Sequence, residues 1–144
     1  MKRFFTPKDV TAIVGLTYRQ IQYWHKTDFI GPSYRSGSGD RLYTFRDLIQ
    51  LRVCKILRDA SFSVQRLRVL IKSLRSLLTE VKHPMVDVSV LIEGDRILIF
   101  NGEVLMNKQT AKKFIRFDAS TLRDEADRLF PEELDYVMNV ERSQ

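Results

Sequence analysis

The sequence predicts an α+β fold: a winged helix-turn-helix over residues 1–79, then a small three-stranded antiparallel sheet with short helices over 80–144. Three observations predict it. Helix-start signatures recur at Thr6, Thr17, Thr44 and Ser63, and the apolar spacing changes from helical to alternating around His83-Pro84. Charge divides at the same place. Residues 1–82 hold sixteen Lys and Arg against six Asp and Glu, whereas residues 83–144 hold eight against twelve. A basic front half on an acidic back half is the pattern of a polyanion-binding module joined to a second, dimerisation or regulatory, region.

The first helix has a full set of start and stop signals. Thr6 is the N-cap, Pro7 fits the first helical position and Asp9 completes a capping box. Val10, Ile13 and Val14 form an apolar stripe, and Gly15 suits a left-handed stop. Thr17 caps a second helix over 18–27, so two short helices meet through a glycine-containing turn. On that second helix Arg19, Gln22, Tyr23 and Lys26 share an arc of about 100°, while Ile21 and Trp24 face the first helix. Such a face suits phosphate contacts and base-edge hydrogen bonds, and equally a solvated surface.

Residues 33–43 form a basic hairpin with Gly37 to Gly39 at its tip, Arg41 and Tyr43 pointing one way and Leu42 the other. An ordinary surface loop would need only the two glycines. Thr44 with Asp47 opens a third helix to about Arg58, bearing Phe45, Leu48, Leu51, Ile56 and Leu57. After Ser61-Phe62-Ser63 a fourth helix runs to about Leu78, with more apolar positions than a small winged domain needs. The surplus points to packing on the C-terminal half or on a second subunit. Strands are expected at 86–92, 96–100 and 103–107, joined as a meander by Gly94-Asp95 and Asn101-Gly102. A helix over 119–130 covers the sheet, a short helix follows Pro131, and Glu141 to Gln144 fray.

This order of elements resembles the DNA-binding domain of the MerR family of transcription regulators, over roughly residues 4–72. Three stretches carry the likeness. They are Thr17 through Ile30 (Thr-Tyr-Arg-Gln-Ile-Gln-Tyr-Trp-His-Lys-Thr-Asp-Phe-Ile), Gly39-Asp40-Arg41-Leu42-Tyr43, and Asp59-Ala60-Ser61-Phe62-Ser63. Gln22 stands where the family commonly has arginine, Trp24 replaces its second tyrosine and Ser61 its glycine. The family's long dimerisation helix has no counterpart after residue 78, so neither its antiparallel coiled coil nor its retwisting of promoter spacers is implied.

The resemblance implies a sequence-specific regulator that binds double-stranded DNA, with Thr17, Arg19, Gln20, Gln22, Tyr23 and Lys26 toward the major groove and its phosphates. Arg35, Ser38 and Arg41 would grip the neighbouring backbone or minor groove from the wing, while Tyr43 joins the core. A homodimer joined through residues 64–144 is expected. The alternative is a phage excisionase-like or antitoxin-like architectural or adaptor protein whose region 80–144 binds a protein partner.

Other classes find little support. His25 and His83 lack a nucleophile or carboxylate at catalytic spacing, and no glycine-rich phosphate loop is present, so no enzyme is expected. No cofactor or metal is expected either; the single cysteine, Cys54, can form neither an internal disulfide nor a thiolate site. No apolar run reaches the roughly 18 residues of a membrane span. Residues 1–7 carry charge without a following signal core, so a cytoplasmic, bacterial-type, nucleoid-associated protein is the expectation.

Overall fold

The computed structural model describes residues 2–81, 88–101 and 104–131, and the backbone of 140–142. Strand β1 (Phe4–Phe5) leads into α1 (Pro7–Val14). The Thr6 hydroxyl accepts from the Asp9 amide while the Asp9 carboxylate accepts from the Thr6 amide. Gly15 ends the helix at φ +83°, where only glycine is free of a Cβ penalty. The same reciprocal cap opens α2 (Tyr18–Lys26) through Thr17 and Gln20, and α3 (Phe45–Asp59) through Thr44 and Asp47. Ser63 caps α4 (Val64–Thr79) by accepting from the Arg66 amide. Just before it, Ser61 lies at φ +69°, which explains the glycine of the family pattern at this position.

Between α2 and α3, β2 (Tyr34–Ser36) and β3 (Arg41–Thr44) form the expected hairpin, Tyr34 opposite Leu42 and Arg35 opposite Arg41. It is part of a larger sheet in the order β1-β3-β2-β7, where β7 is Val140–Arg142. Leu42 and Tyr43 are both buried, in keeping with the core role expected of Tyr43, since β1 pairs Phe5 opposite Tyr43 and extends the packed surface. One expectation is corrected here. Glu141 and Arg142 do not fray; the backbone of 140–142 pairs antiparallel with β2. Ser143 and Gln144 lie outside the described residues.

The second sheet combines β4 (Val88–Glu93), β5 (Arg96–Asn101) and β6 (Ile115–Asp118). The turn at Gly94-Asp95 is as expected, but the third strand is not. Residues 104–107 are outside any strand, and the Asn107 side chain caps α5 (Lys108–Lys113) by accepting from the Thr110 amide. A capping side chain followed by good helix formers favours that helix over the strand. The sheet order is therefore β5-β4-β6, not a sequential meander. The Asn101-Gly102 turn and the helix after Pro131 fall on residues outside those described.

Helix α6 (Ala119–Leu129) lies where the covering helix was expected, and it packs on both β4 and α1. One buried cluster joins Val10 and Ile13 of α1, Leu67 to Leu78 of α4, Val90 and Ile92 of β4, Phe117 of β6, and Leu122 and Ala126 of α6. The surplus apolar positions of α4 are thus covered within the chain by α3 and the sheet. Two buried cations fasten the arrangement. Lys2 lies 2.9 Å from the Asp9 carboxylate, and Arg123 donates to the Lys2 carbonyl and to Asp127.

Candidate nucleic-acid interface

α2 is sharply two-sided. Ile21 and Trp24 are buried, with the indole edge-on to Phe29 at 5.3 Å, while Arg19, Tyr23 and Lys26 are exposed. Gln22 is half-buried and donates from Nε2 to the Tyr18 hydroxyl at 2.7 Å. Tyr18 is 50% exposed and belongs to this surface, although it was not among the expected contacts. Its signal was its place four residues before Gln22, which puts the two on one helical edge.

The other expected contacts divide into free and engaged groups. Thr17 and Gln20 serve the cap: the Gln20 amide donates to Thr17 Oγ1, and Gln20 Oε1 accepts from the Thr17 amide and hydroxyl. Ser38 at the hairpin tip donates to Asp40 at 3.1 Å and pairs with the Ser36 hydroxyl. Arg35 donates to the Gly39 carbonyl, which bends it along the hairpin. Arg41 stands opposite Arg35 in the register. Like charges directly opposite are destabilising; on the other side of β2 the register places Glu141 opposite Arg35.

Electrostatics link the hairpin to the helix. Burial, followed by the charges of Arg41 and Arg35, holds the His25 imidazole below its usual 6.5. His25 also packs tightly on the next loop, since a Cβ at Gly31 would come 2.6 Å from His25 Nδ1. The hairpin base is held by Asp47 of α3, whose carboxylate accepts from the Ser33 amide and hydroxyl and from the Thr44 amide. Burial pushes the Asp47 carboxyl upward, and these hydrogen bonds oppose the shift. Burial pushes the Tyr43 phenol up to about 12, in keeping with a core role, and pushes the Cys54 thiol up as well.

Residues 5–74 match the family model of MerR HTH family regulatory proteins. This segment is similar to the helix-turn-helix of the MerR family. Over 66 residues the chain is 42% identical to an uncharacterized HTH-type transcriptional regulator of Mycobacterium tuberculosis and to one of Mycobacterium bovis. The matched part is 44% of this chain and 29% of each relative, so the chain spans under a third of the length of the curated relatives it matches. Both β2–β3 and the α4 cap lie inside the MerR-like segment, while the second sheet and α6 lie beyond it. Among the described residues no group of His, Cys, Asp and Glu could hold a metal ion, and no helix is long and apolar enough to cross a membrane.

Proposed function

We propose that the chain is a sequence-specific DNA-binding transcriptional regulator, with α2 in the major groove and the wing over 33–43 on the adjacent backbone. One observation carries the reading: α2 exposes Arg19, Tyr23 and Lys26, and the hairpin arginines Arg35 and Arg41 are near enough to act on His25 of the same helix. These cations form no ion pair with a described side chain, although the backbone of Glu141 stands opposite Arg35. Such a set is costly to hold together in isolation and is relieved by phosphates. Thr17 and Gln20 then act by fixing the α2 N-terminus, which supports phosphate binding through the helix dipole and Ser38 through the tip of the wing. Residues 1–79 form the DNA-binding part in this reading.

Residues 80–144 form a dimerisation or regulatory part, and the protein acts as a homodimer on the bacterial nucleoid. Val64 and Val69 of α4 and Phe100 of β5 remain exposed and support an interface there. Sedimentation showing a monomer at micromolar concentration would remove the dimer. The main test is selection from random DNA at two salt concentrations, with an enriched motif expected. Arg19→Ala and Arg41→Ala should each weaken binding by about 1–3 kcal/mol while the fold is kept. No binding at low salt would shift the reading to the adaptor, with a protein partner on 80–144.

A further inference from the structure

A second polar site lies behind the recognition surface. An open cleft of about 780 Å³ is bounded by His25 at the end of α2, the α2–β2 loop, β1, the N-terminus of α3 and one residue of α4. Its size falls within the usual range for small-molecule sites, roughly 300–1,000 Å³. None of Arg19, Gln22, Tyr23, Lys26, Arg35 or Arg41 lines it.

Three arginines from distant parts of the chain line this cleft: Arg3, Arg46 and Arg75. None of them pairs with a carboxylate of the described residues. Arg46 donates to the Val81 carbonyl, and Arg75 donates to Gln50 Oε1 and to the Phe29 carbonyl, so both are positioned by neutral acceptors. Arg3 is exposed and makes no hydrogen bond to a described residue. The cleft's two carboxylates do not answer this charge, because Asp47 is saturated by Ser33 and Thr44 and Asp28 is exposed at the end of α2. Phe4 and Tyr34, edge-to-face at 5.2 Å, supply an aromatic wall of two nearly perpendicular rings.

We propose that this cleft binds a small organic anion, a phosphate monoester or carboxylate on a flat apolar body. The anionic group sits among Arg3, Arg46 and Arg75, and the apolar body lies against Phe4 and Tyr34. Guanidinium forks match both oxyanions, whereas inorganic phosphate alone would leave the aromatic wall uncovered. Arg75 holds the Phe29 carbonyl of the α2–β2 loop, so an occupant meets the loop that joins the recognition helix to the hairpin. An effector role rests on the DNA-binding reading; the anion site itself does not.

The chain carries its own probe. Trp24 is the single tryptophan and lies edge-on to Phe29, which lines the cleft. Phenyl phosphate titrated into the full chain at constant ionic strength should give a saturating change in Trp24 fluorescence, with inorganic phosphate binding more weakly. Arg75→Gln and Arg3→Gln should each weaken phenyl phosphate by roughly tenfold. Arg3→Gln removes no hydrogen bond or ion pair among the described residues, so it decides the matter even if Arg75→Gln unfolds. No saturation, or equal affinity in wild type and Arg3→Gln, overturns the proposal.

A second arm asks whether the anion is a DNA phosphate instead. Arg3→Gln should leave the affinity for duplex DNA and its salt dependence unchanged; a fall of about one in the logarithmic salt slope would assign the cleft to DNA and overturn the small-molecule site. The phenyl phosphate titration contains no DNA. Its failure is therefore distinct from failure of Arg19→Ala to weaken DNA binding.

Discussion

The cations of the two regions are treated differently. In the sheet and helix that follow the MerR-like segment, Arg96, Arg116 and Arg123 each sit against a carboxylate: Glu93, Asp118 and Asp127. On α2 and the hairpin, Arg19, Lys26 and Arg41 have no such partner among the described residues, and Arg41 even faces Arg35. These three arginines of the second sheet and α6 are neutralised internally, whereas the cations of α2 and the hairpin are left for an external anion. Lys108, Lys112 and Lys113 of α5 and Arg128 of α6 likewise have no carboxylate partner among the described residues. Net charge alone would not separate these, since what matters is which cations already have a counterion.

That contrast can be broken from the supporting side first. Leu122 of α6 is 1% exposed and reaches the core shared with α1. Leu122→Ala should cost about 2–5 kcal/mol in urea unfolding, while the molecules that remain folded keep their DNA affinity. A parallel loss of affinity would mean that α6 also shapes the recognition surface. Next, Asp47→Ala removes the acceptor that joins the hairpin base to α3. A loss of about 1.5–3 kcal/mol is expected, with weaker DNA binding because Arg35 and Arg41 lose their fixed position. Unchanged binding would show that the hairpin is held well enough by its strand pairing.

The contrast itself is sharpened by two neutralisations read in the same assay. Arg41→Gln should lower the logarithmic salt slope of DNA binding by about one. Arg116→Gln, which removes a surface pair with Asp118, should leave the slope alone and change stability by less than about 1 kcal/mol. Equal slopes for the two variants would erase the distinction between regions. The smallest effect concerns His25. Its folded pKa lies below 6.5, so the unfolded chain takes the proton first as pH falls. Stability from neutral His25 is intact above about 6.5 and is lost as pH falls below it. The urea midpoint of His25→Gln should therefore vary less than that of wild type between pH 7.5 and pH 5.5.

Elements set by neighbours in sequence were legible. Thr6 with Asp9, Thr17 with Gln20 and Thr44 with Asp47 meet within one helical turn, so the residues that make each cap are adjacent on the page. The exposed arc of α2 follows from the same periodicity. The misses involve distant partners. Residues Ile115–Asp118 are too short a run to announce themselves as the strand beside β4, and the alternating 103–107 stretch was the nearer choice. The burial of Tyr43 was expected, but its strand partner Phe5, nearly forty residues away, was not. The capping use of Thr17 Oγ1 and Gln20 Oε1 is shown by the fold, and the exposed pair remains on the face expected to meet DNA. Arg3, Arg46 and Arg75 could not have been grouped at all without the fold.

The order β1-β3-β2-β7 has a consequence for solubility. A basic hairpin standing alone would present open backbone donors and acceptors along both sides, and another molecule could extend it strand by strand. Here β7 pairs along the whole of β2, while β1 covers only Tyr43 and Thr44 of β3. The edges that remain are short, Arg41 and Leu42 of β3, Phe4–Phe5 and Val140–Arg142, and each offers too few ladder positions to template a fibril. The short tail strand thus acts as a selvedge, keeping the sheet that carries Arg35 and Arg41 from knitting onto its neighbours.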